Sequence, residues 1–144
     1  MNIRQINSTV YAAPQIVPGD VAEAKAMGVK LIINNRPDAE EIGQPEGADI
    51  EAAARAAGLH YIAIPVTHAG FSTPQVDAMR AALDESGDGK VLAFCRSGTR
   101  STLLWALAEA KDGKDPEDIA ASAAAAGYDV APVRMLLDAF ARAG

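Results

Sequence analysis

The chain has a single cysteine, and it opens a run whose residue types suit one kind of chemistry. Cys95-Arg96-Ser97-Gly98-Thr99-Arg100-Ser101 follows the apolar stretch Lys90-Val91-Leu92-Ala93-Phe94 and precedes a segment of helical character. A strand-to-helix junction aims backbone N–H groups and the positive end of a helix dipole into one small space, which suits an anion. Gly98 has no Cβ and permits the positive φ that lets successive amides converge. Arg100 offers a planar fork that matches an oxyanion with two hydrogen bonds. The same field is expected to favour the thiolate of Cys95, the nucleophilic form. Arg96, Ser97, Gly98, Thr99 and Ser101 are expected to complete the cradle, with Ser101 also capping the following helix.

The elements that must position this loop follow from periodicity and from turn residues. Residues 3–12 read as two short strands around a turn at Asn7-Ser8. Pro18-Gly19-Asp20 opens a short helix that Gly28 caps at its C-terminal end. Residues 29–34 form a buried, β-branched strand, and residues 36–47 form a polar loop with two prolines. A helix over 51–57 and a strand over 59–66 follow. Ser72-Thr73-Pro74 starts a helix that runs to about residue 85, with a hydroxyl cap and then proline. Residues 90–94 form a third buried strand, and 101–111 a helix. Asp115-Pro116-Glu117 starts a helix that ends at Gly127, and a last helix covers about 132–141. Strands alternating with helices predict an α/β fold in three layers, with a central, mostly parallel sheet of four or five strands flanked by helices. Ligands of such folds sit off the carboxyl ends of the strands, where Cys95 lies.

Composition narrows the function classes. The chain has 144 residues, which suits a single domain over residues 1–144. One cysteine excludes an internal disulfide and a cysteine-rich metal site, and a lone thiol suits a reducing cytoplasm. No signal peptide is visible after Met1, and no apolar run is long enough for a membrane span. A net charge of −6 argues against nucleic-acid and anionic-membrane binding. Acidic spacing for a metal is absent, so no metal and no cofactor is expected. Asn35 and Arg36 follow a parallel strand and are candidate accessory residues beside the pocket, as is His68 in the 67–71 loop. Glu40 and Glu41 read as a solvated loop, Trp105 as core and His60 as a structural strand residue.

The run from Cys95 to Arg100 resembles the active loop of rhodanese-type sulfurtransferases, in which four residues separate Cys from Arg. Val10-Tyr11-Ala12, Pro18-Gly19-Asp20-Val21 and Leu31-Ile32-Ile33-Asn34-Asn35-Arg36-Pro37 look like the start of dual-specificity and tyrosine phosphatases, and Asp115-Pro116-Glu117 fits that fold. The combination resembles a small bacterial family, the beta-lactamase hydrolase-like protein, phosphatase-like domains, also described as sulfur transferases. That resemblance implies a tyrosine-phosphatase-like fold with a rhodanese-length loop. It departs from a tyrosine phosphatase in three places. Five residues would separate Cys from Arg and put the arginine at 101, where Ser101 stands. Phe94 occupies the place of a usual histidine, and 67–71 has no aspartate to act as general acid; the nearest, Asp77, falls within a helix.

Sulfur transfer asks less of this site than phosphate hydrolysis does. A thiolate attacking the outer sulfur of thiosulfate expels sulfite, which needs no proton. A phosphoryl group has three equatorial oxygens to hold, and its alkoxide leaving group needs an acid. The expected function is therefore a thiosulfate or persulfide sulfurtransferase working through a Cys95 persulfide, with a small anionic sulfur donor and an external thiol acceptor. The alternatives are a phosphatase that acts on phosphomonoesters through a Cys95 phosphocysteine, and a non-catalytic anion- or partner-binding module.

Overall fold

A computed structural model describes residues 1–143. Five strands, β1 (Arg4–Gln5), β2 (Val10–Ala13), β3 (Val29–Asn34), β4 (His60–Ala63) and β5 (Lys90–Phe94), form one sheet in the order β1-β2-β5-β3-β4. β1 runs antiparallel to β2, and the other neighbours pair in parallel. The expected mostly parallel α/β sheet is therefore present, with β5 at its centre.

Six helices cover the sheet: α1 (Asp20–Ala26), α2 (Gly47–Ala56), α3 (Thr73–Ser86), α4 (Thr99–Lys111), α5 (Pro116–Ala125) and α6 (Arg134–Ala143), the last preceded by a 3-10 turn at Ala131–Val133. Alternation along β5 divides the core in two. Leu92 and Phe94 pack with Ile16, Ile32 and Ile50 beneath α1 and α2. Val91 and Ala93 pack with Ile33, Leu104, Leu107 and Leu137 on the side of α3 to α6. Helix α4 is buried from Ser101 through Ala108, because α3, α5 and α6 all pack on it. A helix enclosed on every side needs no polar stripe, which accounts for its Leu103-Leu104-Trp105-Ala106-Leu107 run. Trp105 is core, as expected.

Three of the boundaries that differ from the sequence reading bear on the site. α2 begins at Gly47 rather than 51, because Asp38 Oδ1 accepts the Gly47 N–H at 2.8 Å; this acceptor nine residues back satisfies a first-turn donor that no adjacent cap serves. β4 ends at Ala63 rather than 66. Beyond it the chain stays tied to β3, with the Ile64 and Val66 N–H groups donating to the Asn34 and Asn35 carbonyls, both at 2.9 Å. α4 begins at Thr99, so the anion loop is tighter than its sequence suggested. None of the described helices is long and apolar enough to cross a membrane.

Candidate active site

The carboxyl end of β5 delivers Cys95 to the front of α4. The Cys95 N–H donates to Ala13 O at 3.3 Å, and the Asn35 N–H to Phe94 O at 2.9 Å, so both neighbouring strands fix the loop's entry. Gly98 is the N-cap of α4 at φ 89°, in the left-handed region open to glycine. That turn brings the Gly98 N–H to 3.1 Å from the Cys95 Sγ. The cysteine is fully buried, as the floor of a cradle would be. The amides of Arg100 and Ser101 belong to the first turn of α4, whose N–H groups lack partners within the helix and face the loop.

Arg100 is held by three bonds. Its Nη1 donates to Glu40 Oε2 and to Val66 O, both at 2.7 Å, and its Nη2 to Glu40 Oε1 at 2.8 Å. The end of the guanidinium is thus occupied by a bidentate carboxylate, which leaves the Nε–Nη2 edge for another ligand. Hydrogen bonding to Glu40 raises the Arg100 pKa above its ordinary value; burial opposes the rise, and the charge of Cys95 adds to it. Hydrogen bonding from Arg100 lowers the Glu40 carboxyl from 4.5 to about 2 against the cost of burial, with Arg36 assisting.

Glu40 and Glu41, expected to be a solvated loop, are instead part of the site. Arg36 Nε donates to Glu40 Oε1 at 2.8 Å, Arg36 Nη2 to Glu41 Oε1 at 3.4 Å, and Arg36 Nη1 to Gln15 Oε1 at 3.1 Å. Arg96 Nη2 lies 3.5 Å from Glu41 Oε2. The sequence Arg100–Glu40–Arg36–Glu41–Arg96 is a continuous ladder of ion pairs that ties the 36–41 loop to the cysteine loop. Solvation is a fair expectation for two adjacent acids; Arg36 is a local partner, but Arg96 and Arg100, which tie them to the cysteine loop, come from positions remote in sequence.

The other expected residues divide. Asn35 and Arg36 lie beside the loop, both buried. The Ser101 hydroxyl donates to Asn35 Oδ1 at 2.7 Å, and Asn35 Nδ2 donates to Ile64 O at 2.9 Å. Ser101 therefore ties α4 to β3 through its side chain and offers the loop only its amide. The Ser97 hydroxyl donates to Thr99 Oγ1 at 3.0 Å at the exposed rim. His68 is exposed on its loop, and no hydrogen bond among the described residues holds its ring. Asp77 sits on α3, as expected, paired with Lys111 away from the site. His60, expected to be structural, is exposed on β4.

The sequence reading missed one residue beside the loop. The Tyr128 hydroxyl donates to Ser97 O at 3.4 Å, and a Cβ on Gly98 would stand 2.3 Å from that oxygen. Burial raises the Tyr128 phenol above its ordinary pKa; the charge of Arg4 opposes the rise, and that of Cys95 adds a smaller push to it. Tyr128 follows α5 after Gly127, and nothing in its neighbourhood marks it.

Known proteins place this architecture. Residues 2–112 match the family model described as beta-lactamase hydrolase-like protein, phosphatase-like domain. A beta-lactamase hydrolase-like protein of Agrobacterium fabrum is 39% identical over 114 residues, which are 79% of this chain and 26% of that protein. Its Xylella fastidiosa counterpart is 36% identical over 131 residues, 90% of this chain and 30% of that one. The chain thus spans less than a third of the length of these curated relatives. Among solved structures, a putative phosphatase from Neisseria meningitidis is 35% identical with a TM-score of 0.82, covering 97% of this chain and 99% of that one. PTPMT1 shares the fold at 15% identity, with a TM-score of 0.77 over 99% of this chain and 95% of its own. These comparisons favour the phosphatase alternative and give no support to the sulfur-transfer expectation. The chain belongs to the beta-lactamase hydrolase-like protein, phosphatase-like domain family, an enzyme family of tyrosine-phosphatase-like fold.

Proposed function

We propose that the chain is a cysteine-dependent phosphatase acting on phosphomonoesters. The observation that carries this reading is the state of Arg100: its far end is clamped by Glu40 and Val66 O, leaving the Nε–Nη2 edge for an oxyanion at Cys95. A phosphoryl group is met by that edge and by the amides of the loop and of the first turn of α4, donors fixed before the reaction begins. The Cys95 thiolate attacks phosphorus, an S–P bond forms, and the ester P–O bond breaks. The departing oxygen takes its proton from solvent. Water then attacks the phosphocysteine, the S–P bond breaks, and inorganic phosphate leaves with the thiolate restored. In-line displacement with positioned donors is what catalysis of phosphoryl transfer mostly requires.

Sulfur transfer stands second, on one observation: four residues, not five, separate Cys95 from Arg100. In that reading the thiolate takes the outer sulfur of thiosulfate, sulfite leaves, and an external thiol removes the sulfur from the Cys95 persulfide. One comparison separates the two. Wild type and Cys95→Ser are assayed with an aryl phosphate and with thiosulfate plus cyanide. Cys95-dependent release of phosphate supports the phosphatase. A stable added sulfur on Cys95 by mass spectrometry, without phosphate release, makes the chain a sulfurtransferase. Neither activity, together with a thiol that resists iodoacetate near neutral pH, leaves an anion-binding module.

A further inference from the structure

One groove of the molecule lies away from Cys95. It has a volume of about 750 Å³ and runs along His60, Tyr61 and Ile62 of β4, ending just short of the exposed Ala63, with Arg55 and Gly58 of the α2 side on one wall and Ala78, Ala81 and Glu85 of α3 on the other. Lys30, His60 and Ser86 lie toward the amino ends of the strands, away from the cysteine loop. β4 is the outer strand of the sheet, so the floor of this groove is a strand edge. The parallel register pairs Leu31 with His60 and Ile33 with Ile62, and the Ile64 N–H donates to Asn34 O. In such a ladder the backbone groups of His60, Ile62 and Ile64 point to β3, and those of Tyr61 and Ala63 point outward.

Folded proteins disguise exposed edges with short strands, lysines, prolines, bulges or covering elements. The opposite edge, β1, follows this rule with two residues. β4 has four, His-Tyr-Ile-Ala, in unbroken register with β3 and with no proline or lysine among them. The nearest blunting residue is Pro65, beyond its end. Gly58, Ala78 and Ala81 put little side-chain bulk into the walls. Charge is distinctive as well. Arg55 is paired with Glu51, whereas Lys30 and His60 form no ion pair among the described residues. The lining carries Lys30, Arg55 and His60 against a single carboxylate, Glu85, which forms no ion pair with any of them, a local exception on a chain of net charge −6.

We propose that this groove is a docking site for an extended acidic segment of a partner polypeptide, which adds to β4 as a sixth strand. Main-chain bonds to Tyr61 and Ala63 supply the affinity, and an acidic side chain at Lys30 and His60 supplies the selectivity. A second copy of the chain fits less well. Its own β4 is flanked by α2 and α3, which would meet the walls of the groove before the two edges paired.

The test is selection of short peptides from a random display library on the intact protein. Selected peptides are expected to be rich in β-branched residues and to carry Asp or Glu. Lys30→Glu should weaken them by about tenfold or more, as reversal of an interfacial charge does. Ala63→Pro should abolish binding, since it removes an outward N–H and no bond to β3. If Ala63→Pro fails to fold, amide exchange in the wild type carries the test: bound peptide must protect Tyr61 and Ala63 selectively. Absence of enriched peptides, peptides without acidic residues, binding that does not protect those two amides, or sedimentation showing a dimer that pairs through β4 would each overturn the proposal. Activity at Cys95 is not read in any arm.

Discussion

Glu40 and Arg100, sixty positions apart, meet as a bidentate pair at 2.7 and 2.8 Å. The pair gives Arg100 a single orientation, with Val66 O closing a third side. Glu40 is thus a positioning residue for the anion cradle, and it acts through Arg100.

Glu40→Gln should therefore act chiefly on the reacting state. The amide retains one acceptor oxygen but turns an N–H₂ toward a guanidinium. We expect kcat/KM for an aryl phosphate to fall by about 10- to 100-fold, the order of a lost charge-assisted pair. Glu40→Asp, which keeps the charge on a shorter stem, should recover part of the loss. Equal activity of wild type and Glu40→Gln would show that Arg100 needs no clamp.

The same pair sets a pH dependence. The Glu40 carboxyl is depressed from 4.5 to about 2. A depressed carboxyl contributes stability that is fully present above its unfolded value and lost as pH falls toward the folded one. The clamp is therefore intact across pH 5–8, and any acid limb of activity in that range has another origin. The kcat/KM ratio of wild type to Glu40→Gln should stay level over that range, and the difference in their thermal stability should shrink only below the ordinary carboxyl range. A ratio that drifts steadily between pH 5 and 8 would refute this.

Much of this was legible in the sequence, for physical reasons. β3 and β5 are read correctly because β-branched and apolar residues in short runs admit few other structures. The cysteine loop is legible because a lone Cys, a Gly and an Arg after a buried strand are poor material for an ordinary turn. Glu40 was not legible. A carboxylate becomes part of a site through the cation it meets, and the fold brings Arg100 to it across β3 and β5. Tyr128 was hidden for the same reason: its partner, Gly98, lies thirty residues earlier. The start of α2 was misplaced because its first N–H is satisfied by Asp38 and not by an adjacent cap.

Gly98 and Tyr128 offer a test of that hidden contact. Gly98→Ala forces a Cβ onto a residue at φ 89°, with the phenol oxygen 2.3 Å away. The backbone strain alone is of order 1–3 kcal/mol. We expect Gly98→Ala to lower the urea midpoint and to remove most activity. Tyr128→Ala relieves the collision and leaves the strain, so the double variant should be more stable than the two single losses predict. Strict additivity in this cycle would place Tyr128 away from the loop.

Ser101→Ala should cost stability more than chemistry. It strips the hydroxyl from Asn35 Oδ1, a fully buried acceptor. An unsatisfied buried polar group costs about 1–3 kcal/mol. Because the Ser101 amide remains, the loss should appear in unfolding midpoints, with KM for an aryl phosphate nearly unchanged. A large rise in KM at unchanged stability would instead assign the hydroxyl to the anion.

His68 is the last group whose role can be weighed by magnitude. It is exposed, and no hydrogen bond among the described residues fixes its ring. A true general acid contributes about 10²–10⁴-fold, which requires a proton donor held within reach of the leaving oxygen. A histidine that nothing orients should contribute far less, so His68→Ala is expected to lower kcat/KM by less than about fivefold, well under that range. Without an acid, the rate should depend steeply on the leaving group: aryl phosphates with acidic phenols should react fastest, and alkyl phosphates slowly. A hundredfold loss in His68→Ala confined to the poor leaving groups would reverse this conclusion and make the 67–71 loop the proton donor.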